Sequence, residues 1–159
     1  MGFFTADLCD NFSEKTEVLG PEFKSYGGSK KFEGEVVTVK LDKNNKDLAS
    51  LLKDTDGTGK VVVVDVDMKY YAVVGDNLMR FANDNKYEGI IVNGYVRDIV
   101  TTKEFEVGLL AKGTCPKKYI PVQDAQLNVS VIIDGIEIDS GDYIYADPDG
   151  VVVCKEKLV

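Results

Sequence analysis

Along the first two thirds of the chain, apolar runs typical of strands alternate with segments whose apolar residues have helical spacing. The β-branched segment 34–40 and the segment 60–66, the most apolar run in the chain, predict two strands. We expect the second strand to be buried on both faces, as the inner strand of a parallel sheet is. Between them, leucines recur at helical spacing over 47–53 and predict a connecting helix. Strands joined by a helix are typical of an α/β fold.

The same alternation continues into the stretch 89–98, which reads GIIVNGYVRD. Its apolar run ends at Asn93 and Gly94, and an apolar run bounded by turn formers is typical of a buried strand. Arg97 and Asp98 then stand side by side, just past the carboxyl end of this predicted strand. Open α/β sheets usually bind their ligands at that end of a strand.

Helical spacing of apolar residues over 76–86 predicts a second helix before this strand, entered through Gly75, Asp76 and Asn77. The free backbone N–H groups at the start of a helix form an anion site. We expect this helix start and the Arg97-Asp98 pair to lie at one edge of the same sheet.

The N-terminus and the final third complete the predicted fold. Thr5 is placed to cap a short N-terminal helix. The final third has apolar runs separated by turn signals, which predict mostly antiparallel strands at GLLAKG, LNVSVIID, IEID, YIYAD and VVVC. A mixed sheet with helices on one side and a second layer of strands on the other accommodates both halves. We see no repeat or linker in the 159 residues, so we predict one domain over 1–159.

Charge and composition indicate which partners and which cellular compartment the protein has. The 27 acidic and 19 basic residues give a formal charge of −8, which disfavours direct nucleic-acid binding. No apolar run reaches the length of a membrane span, and Asp7 and Asp10 interrupt any signal-peptide core. Three widely spaced cysteines without a C-x-x-C pair fit a reducing compartment. We therefore predict a soluble, cytoplasmic protein.

The sequence contains no histidine, which excludes Ser-His and Cys-His nucleophiles and histidine metal sites. Catalysis must use carboxylates, Arg, Lys, Tyr, backbone amides or a metal held by oxygen. Asp65 and Asp67 lie on one side of an extended chain and could contribute to a metal site, although capping a turn is the commoner role for either. The Arg97-Asp98 pair, taken alone, is also more often solvated or helix-capping than functional.

Several segments together resemble the RraA-like family, which contains the regulator of ribonuclease E activity and the 4-hydroxy-4-methyl-2-oxoglutarate aldolases. The most specific are DNLMRFANDNKYEGIIVNGYVRD at 76–98 and SGDYIYADPDGVVV at 140–153. TADLCDNF, GGSKKFEGEVVTVK and KVVVVDV extend the similarity nearly end to end. The resemblance implies a β/β/α swivelling-type sandwich with a mixed sheet, assembled as a ring-shaped homotrimer with sites between neighbouring subunits.

The resemblance also implies an activity: class II, divalent-metal-dependent cleavage of 4-hydroxy-4-methyl-2-oxoglutarate to pyruvate, with oxaloacetate decarboxylation. In the aldolase branch, the arginine of the pair holds a pyruvate carboxylate, the aspartate holds Mg²⁺ or Mn²⁺, and the loop entering the preceding helix gives backbone amides to the substrate. By position these are the catalytic residues Arg97 and Asp98 and the substrate-binding residues Gly75, Asp76, Asn77, Leu78 and Arg97, with Asp98 as the metal ligand.

Elementary chemistry agrees with these implied roles. Retro-aldol cleavage beside a 2-oxo acid needs an electron sink, and a Lewis-acid metal supplies it without a Schiff-base lysine. Mg²⁺ commonly takes one or two protein carboxylates and keeps several waters, so Asp98 suffices. The planar guanidinium of Arg97 can bind a carboxylate through two hydrogen bonds. Asp65, Asp67 and Tyr95 are candidates for supporting roles, such as the general base.

Two markers separate the aldolases from the regulators, and they point in opposite directions. The aldolase motif spaces a glycine and the arginine by twenty residues. Asp76 occupies that position here, with Gly75 one residue earlier. Its amide remains available, but its carboxylate disfavours an anionic substrate. The ribonuclease-regulating members have generally lost the aspartate that follows the arginine, whereas this chain keeps Asp98.

The alternative function is therefore a non-catalytic trimer that binds ribonuclease E or its scaffold and inhibits RNA turnover. Its one sequence feature is the acidic surface, which could pair with basic segments of a partner. A quinone-pathway methyltransferase has no support, because no glycine-rich adenosine-binding loop follows the early strands.

Overall fold

A computed structural model describes residues 2–42, 45–118 and 124–159. Its helices and strands follow in the order α1 (Thr5–Asn11), β1 (Glu17–Val18), β2 (Lys24–Ser25), β3 (Phe32–Lys40), α2 (Lys46–Asp54), β4 (Lys60–Asp65), β5 (Ala72–Val74), α3 (Asp76–Asp84), β6 (Gly89–Val96), α4 (Ile99–Thr102), β7 (Gly108–Thr114), β8 (Gln126–Leu127), β9 (Val131–Ile133), β10 (Ile136–Ile138), β11 (Tyr143–Asp147) and β12 (Gly150–Cys154).

One mixed sheet organises the described residues, with its main strands in the order β1-β12-β11-β3-β4-β6-β7-β2. Strands β3, β4, β6 and β7 pair in parallel, and β5 adds to β6 in the same direction. The residues Val61 to Val64 of β4 are fully buried, which confirms the predicted inner strand. One detail of the prediction was wrong. The first strand of the final third, which was predicted to be antiparallel, is β7, and it runs parallel to β6.

The two faces of the sheet carry different layers. Helices α2 and α3 pack on one face through Leu52 and Met79, where they meet Val62 and Val64. On the other face, the antiparallel β9–β10 hairpin packs against the alternate residues of β4. The predicted arrangement of helices on one side and extra strands on the other is confirmed. The swivelling-type assignment, the homotrimer and the single domain stay predictions.

The predicted helices are present, but α1 begins differently from the expectation. Thr5 is its first helical residue and Phe4 occupies the N-cap position. The Asp147 carboxylate accepts hydrogen bonds from the Thr5 amide at 2.8 Å and the Thr5 hydroxyl at 2.7 Å. A side chain 142 residues away therefore caps α1. No described helix is long and apolar enough to cross a membrane.

Candidate active site

The candidate site lies at the carboxyl end of β6, beyond the apolar run that predicted this strand. Asn93 and Gly94 do not end the strand, which continues to Val96. A Cβ at Gly94 would lie 2.5 Å from a methyl carbon of Val66, so this glycine serves close packing rather than a turn. The two residues read as turn formers are thus part of the strand that carries Arg97 and Asp98 to the sheet edge.

Asp98 turns the chain sharply at this edge. It has left-handed backbone angles, φ 60° and ψ 35°, and it is the N-cap residue of α4. Its carbonyl accepts hydrogen bonds from the amides of Thr101 and Thr102, at 2.8 and 2.9 Å. The carboxylate lies against the start of α3, where Oδ2 accepts a hydrogen bond of 3.1 Å from the Asp76 amide.

Gly75 makes this approach sterically feasible. A Cβ at this position would lie 2.5 Å from Oδ2 of Asp98 and 3.3 Å from Cγ of Arg97. The amide of Arg97 in turn donates to the carbonyl of Val74, at 2.9 Å. The structure therefore brings together the helix start and the Arg-Asp pair that the sequence placed at one edge of the sheet.

The guanidinium of Arg97 is held loosely and remains available to a ligand. Its Nη1 donates to the Pro116 carbonyl at 3.4 Å, and its Nε lies 3.9 Å from Oδ2 of Asp98. A guanidinium has five N–H donors, so most of its capacity is free among the described residues. It faces a cavity of about 260 Å³ whose lining is Val96, Arg97, Asp98, Ile99, Thr114, Cys115 and Pro116.

The other predicted substrate-binding residues contribute unequally. The Asp76 amide is bonded to Asp98, whereas the amides of Asn77 and Leu78 have no hydrogen-bond acceptor among the described residues. The Asn77 side chain accepts a hydrogen bond from Arg80, and the Leu78 side chain is buried in the helix-side core. Leu78 can therefore serve a ligand only through its backbone, whereas the exposed Asn77 also keeps the N–H donors of its side-chain amide free among the described residues.

Asp65 and Asp67 form a separate polar network at the end of β4. Lys40 donates to both carboxylates at 2.8 Å, and Asn93 donates to the fully buried Asp65 at 2.9 Å. Burial lowers the pKa of Lys40, but hydrogen bonds to the two aspartates outweigh it and raise the pKa. Asp65 also accepts the Asp67 amide, as a turn-capping residue does. No described residues form a group of three or more potential metal-ligating side chains.

A family model described as Aldolase/RraA, of the RraA-like family, matches residues 5–153. The chain belongs to the RraA-like family. A relative from Photobacterium profundum, provisionally named as a 4-hydroxy-4-methyl-2-oxoglutarate aldolase, is 38% identical over 156 residues. That alignment covers 96% of this chain and 93% of the relative.

Two solved structures are similar over almost the whole chain. The RNA-processing inhibitor RraA from Thermus thermophilis is 33% identical with a TM-score of 0.94, over 100% of this chain and 96% of that chain. A structure described as S-adenosylmethionine:2-dimethylmenaquinone methyltransferase from Geobacillus kaustophilus is 35% identical with a TM-score of 0.93, over 98% and 97% of the two chains. The resemblance found in the sequence is confirmed.

Sequence reasoning missed part of the wall of this RraA-like site. Cys115 and Pro116 line the cavity beside Arg97, and neither carries a pattern that marks it. They reach the site because β7 pairs in parallel with β6 and ends at the same edge of the sheet. That neighbour relation is a property of the tertiary fold, so no local signal in the sequence could have found them.

Proposed function

We propose that this chain is a divalent-metal-dependent class II aldolase that cleaves 4-hydroxy-4-methyl-2-oxoglutarate to pyruvate and also decarboxylates oxaloacetate. The observation that carries the proposal is the contact between the start of α3 and the Arg97-Asp98 pair. Arg97 and Asp98 line one small cavity, and Asp98 lies against the helix start that carries the free backbone amides. The similarity to the provisionally named aldolase from Photobacterium profundum supports this chemistry.

The chain's own residues first bind and orient the 2-oxo acid. Arg97 binds the carboxylate next to the keto group through two parallel hydrogen bonds, which fixes which end of the substrate enters. The free amides of Asn77 and Leu78 lie at the positive end of the α3 dipole and favour an anionic group there. Because the Asp76 amide is bonded to Asp98, we assign Asp76 to positioning that carboxylate.

Asp98 fits a hard cation such as Mg²⁺ or Mn²⁺. Its Oδ1 makes no hydrogen bond to the described residues, and its side chain is 39% exposed, which leaves space for the waters that Mg²⁺ retains. The hydrogen bond from the Asp76 amide orients the carboxylate, as partners of metal ligands commonly do. When bound, the cation supplies a Lewis acid for the negative charge that develops as the carbon–carbon bond breaks.

A coupled assay of pyruvate release tests the proposal. The purified chain is given 4-hydroxy-4-methyl-2-oxoglutarate or oxaloacetate with Mg²⁺ or Mn²⁺, and then with a chelator. We expect metal-dependent turnover that falls by about two orders of magnitude or more in Arg97→Ala and Asp98→Ala. Asp84→Ala, at the exposed far end of α3, is the matched control. Pyruvate release that survives the chelator, or no release at all, contradicts the proposal.

A second candidate function is non-catalytic inhibition of ribonuclease E through binding to the enzyme or its scaffold. The similarity to the RNA-processing inhibitor from Thermus thermophilis favours it, and the formal charge of −8 would complement a basic segment. A pull-down and an RNA cleavage assay test it, and the inhibition should persist in Arg97→Ala. Unaltered cleavage at saturating protein counts against it.

Both functions are proposed for a homotrimer. Sedimentation should then give a mass of about three times the 17.5 kDa of the chain. A monomer at working concentration contradicts this part of the proposal.

A further inference from the structure

We propose that Tyr70 is a specificity-determining residue of the Arg97-Asp98 site, where its side chain meets the part of a 2-oxo acid that lies beyond the carboxylate bound by Arg97. This inference rests on the proposed function, because the class of substrate comes from it. Three observations support the assignment. They are the contact of the Tyr70 ring with Tyr95, the position of Tyr70 beside Cys115, and the hydrogen bonds of the loop that holds Tyr70.

The ring of Tyr70 is exposed and yet fixed in place. The residue is 66% exposed. It meets Tyr95 edge-on, with 4.9 Å between the ring centroids and 84° between the planes. Tyr95 pairs with Ala72 across β5 and β6, two residues before Arg97 in the sequence. The exposed ring is therefore held against the strand end that carries the Arg-Asp pair.

Tyr70 lies beside a residue of the cavity wall. Cys115 lines that cavity together with Arg97 and Asp98, and it is the largest cause of the raised pKa of Tyr70. The backbone of Cys115 is bound to the end of β6, since its amide donates to Val96 at 3.0 Å. The Tyr70 hydroxyl is protonated at neutral pH, as tyrosine ordinarily is, and can donate a hydrogen bond.

The loop that carries Tyr70 is anchored by the polar network at the end of β4. Asp67 and Met68 both have left-handed backbone angles, with φ 53° and 61°. The buried Asp65 accepts the amide of Asp67 at 2.9 Å, and Asn93 accepts the amide of Met68 at 3.3 Å. This gives Asp65 and Asp67 a positioning role. A side chain held in this way needs little further ordering when a ligand arrives.

The chemistry of Tyr70 fits a branched, dianionic substrate. Beyond its keto group, 4-hydroxy-4-methyl-2-oxoglutarate carries a methyl group, a hydroxyl and a second carboxylate. An aromatic face with a hydroxyl donor can contact all three, whereas Arg97 and the α3 amides serve the keto-acid end. Oxaloacetate is shorter and lacks the branched carbon, so it should depend less on Tyr70.

Kinetics of two variants on the two substrates test this assignment. We expect Tyr70→Ala to raise KM for 4-hydroxy-4-methyl-2-oxoglutarate about tenfold and to change KM for oxaloacetate by less than about threefold. Tyr70→Phe keeps the ring and should lie between Tyr70→Ala and the unmodified chain. Phe4→Ala removes another exposed aromatic side chain, at the N-cap position of α1, and should change neither value. Equal changes on both substrates, or no change, overturn the inference.

Binding without turnover separates this inference from the proposed function. Calorimetry with Mg²⁺ uses pyruvate and 2-oxoglutarate, a dicarboxylate that lacks the cleavable hydroxyl. We expect Tyr70→Ala to weaken 2-oxoglutarate binding about tenfold and to leave pyruvate binding unchanged. That result in a chain that cleaves neither substrate upholds the role of Tyr70 and contradicts the aldolase proposal. The role of Tyr70 is overturned if Tyr70→Ala leaves 2-oxoglutarate binding unchanged in an active enzyme. It is also overturned if Tyr70→Ala alters the oligomeric state and leaves the ratio of the two substrates' KM values unchanged.

Discussion

Gly75 and Asp98 bring two distant parts of the backbone together at the candidate site. The carboxylate of Asp98 can accept the Asp76 amide because Gly75 has no side chain in the gap. Gly75 itself has extended backbone angles, φ −133° and ψ −159°, which any residue adopts without strain. The need for glycine at this position is therefore one of space, which makes its substitution an informative probe of the site.

We expect Gly75→Ala to reduce kcat/KM for pyruvate release by about tenfold to a hundredfold, because small displacements of catalytic groups have effects of that size. The new Cβ would lie 2.5 Å from Oδ2 of Asp98, so the carboxylate must move. The melting temperature should change little. Gly2→Ala is the control, since its Cβ meets only the flexible end of Lys31. Full activity with an unchanged melting temperature would show that Asp98 does not need this position.

At the scale of elements, the local pattern of apolar residues predicted where single strands and helices lie. Strand β4 is a continuous apolar run that is buried on both faces, and helices α2 and α3 have an apolar period that matches their burial. Each was found close to its predicted bounds. The pattern could not show that β6 continues through Asn93 and Gly94, because only the packing of Val66 explains that glycine. It also could not identify the cap of α1, since Asp147 lies at the other end of the sequence.

The cap of α1 leads to a prediction on stability. Asp147→Asn should lower the free energy of unfolding by about 1 kcal/mol, as loss of a helix cap typically does, since the charged acceptor of the two Thr5 hydrogen bonds is removed. Urea denaturation followed by circular dichroism near pH 7 measures the difference. Asp149→Asn removes an exposed carboxylate from the same turn and should have almost no effect. Equal effects of the two substitutions would contradict the cap.

The same cap should show a defined pH dependence. Burial raises the pKa of Asp147, but hydrogen bonds from Thr5, Asp149 and Gly150 outweigh it and lower the pKa below the ordinary 3.8. The carboxylate therefore stabilises the fold above pH 3.8, and this contribution is lost as the pH falls through the folded-state pKa. The stability difference between the unmodified chain and Asp147→Asn should be constant near neutrality and shrink below pH 3.8. A constant difference down to pH 3 would contradict this assignment.

At the scale of the whole molecule, the candidate site exists because three parallel strands end together. Strands β5, β6 and β7 bring Val74, Arg97 and Cys115 to one edge of the sheet. The sequence predicted the strands and the position of the Arg97-Asp98 pair. The resemblance to the RraA-like family implied the roles of the two residues. The sequence could not predict which strands are neighbours, because strand order follows from packing across the whole chain. Cys115 was missed for that reason.

The two cores of the molecule share the central strands, which leads to a prediction on cooperativity. Ile133 is fully buried on the hairpin side of the sheet, whereas its neighbour Ile132 is 64% exposed. Ile133→Ala should lower the free energy of unfolding by about 2–5 kcal/mol, because it removes buried methyl groups and leaves a cavity. Ile132→Ala should change it by less than about 0.5 kcal/mol.

Because Val63 faces the hairpin and Val62 faces the helices on the same strand, the loss should be shared by both cores. The helical signal in far-ultraviolet circular dichroism and the near-ultraviolet signal of the tyrosines should then shift to lower denaturant together, in one transition. If the hairpin melted first and the helical transition kept its midpoint, the chain would not unfold as one unit. The prediction of a single domain over 1–159 would then be wrong. The arrangement of one sheet with helices on one face and the hairpin on the other would be unaffected.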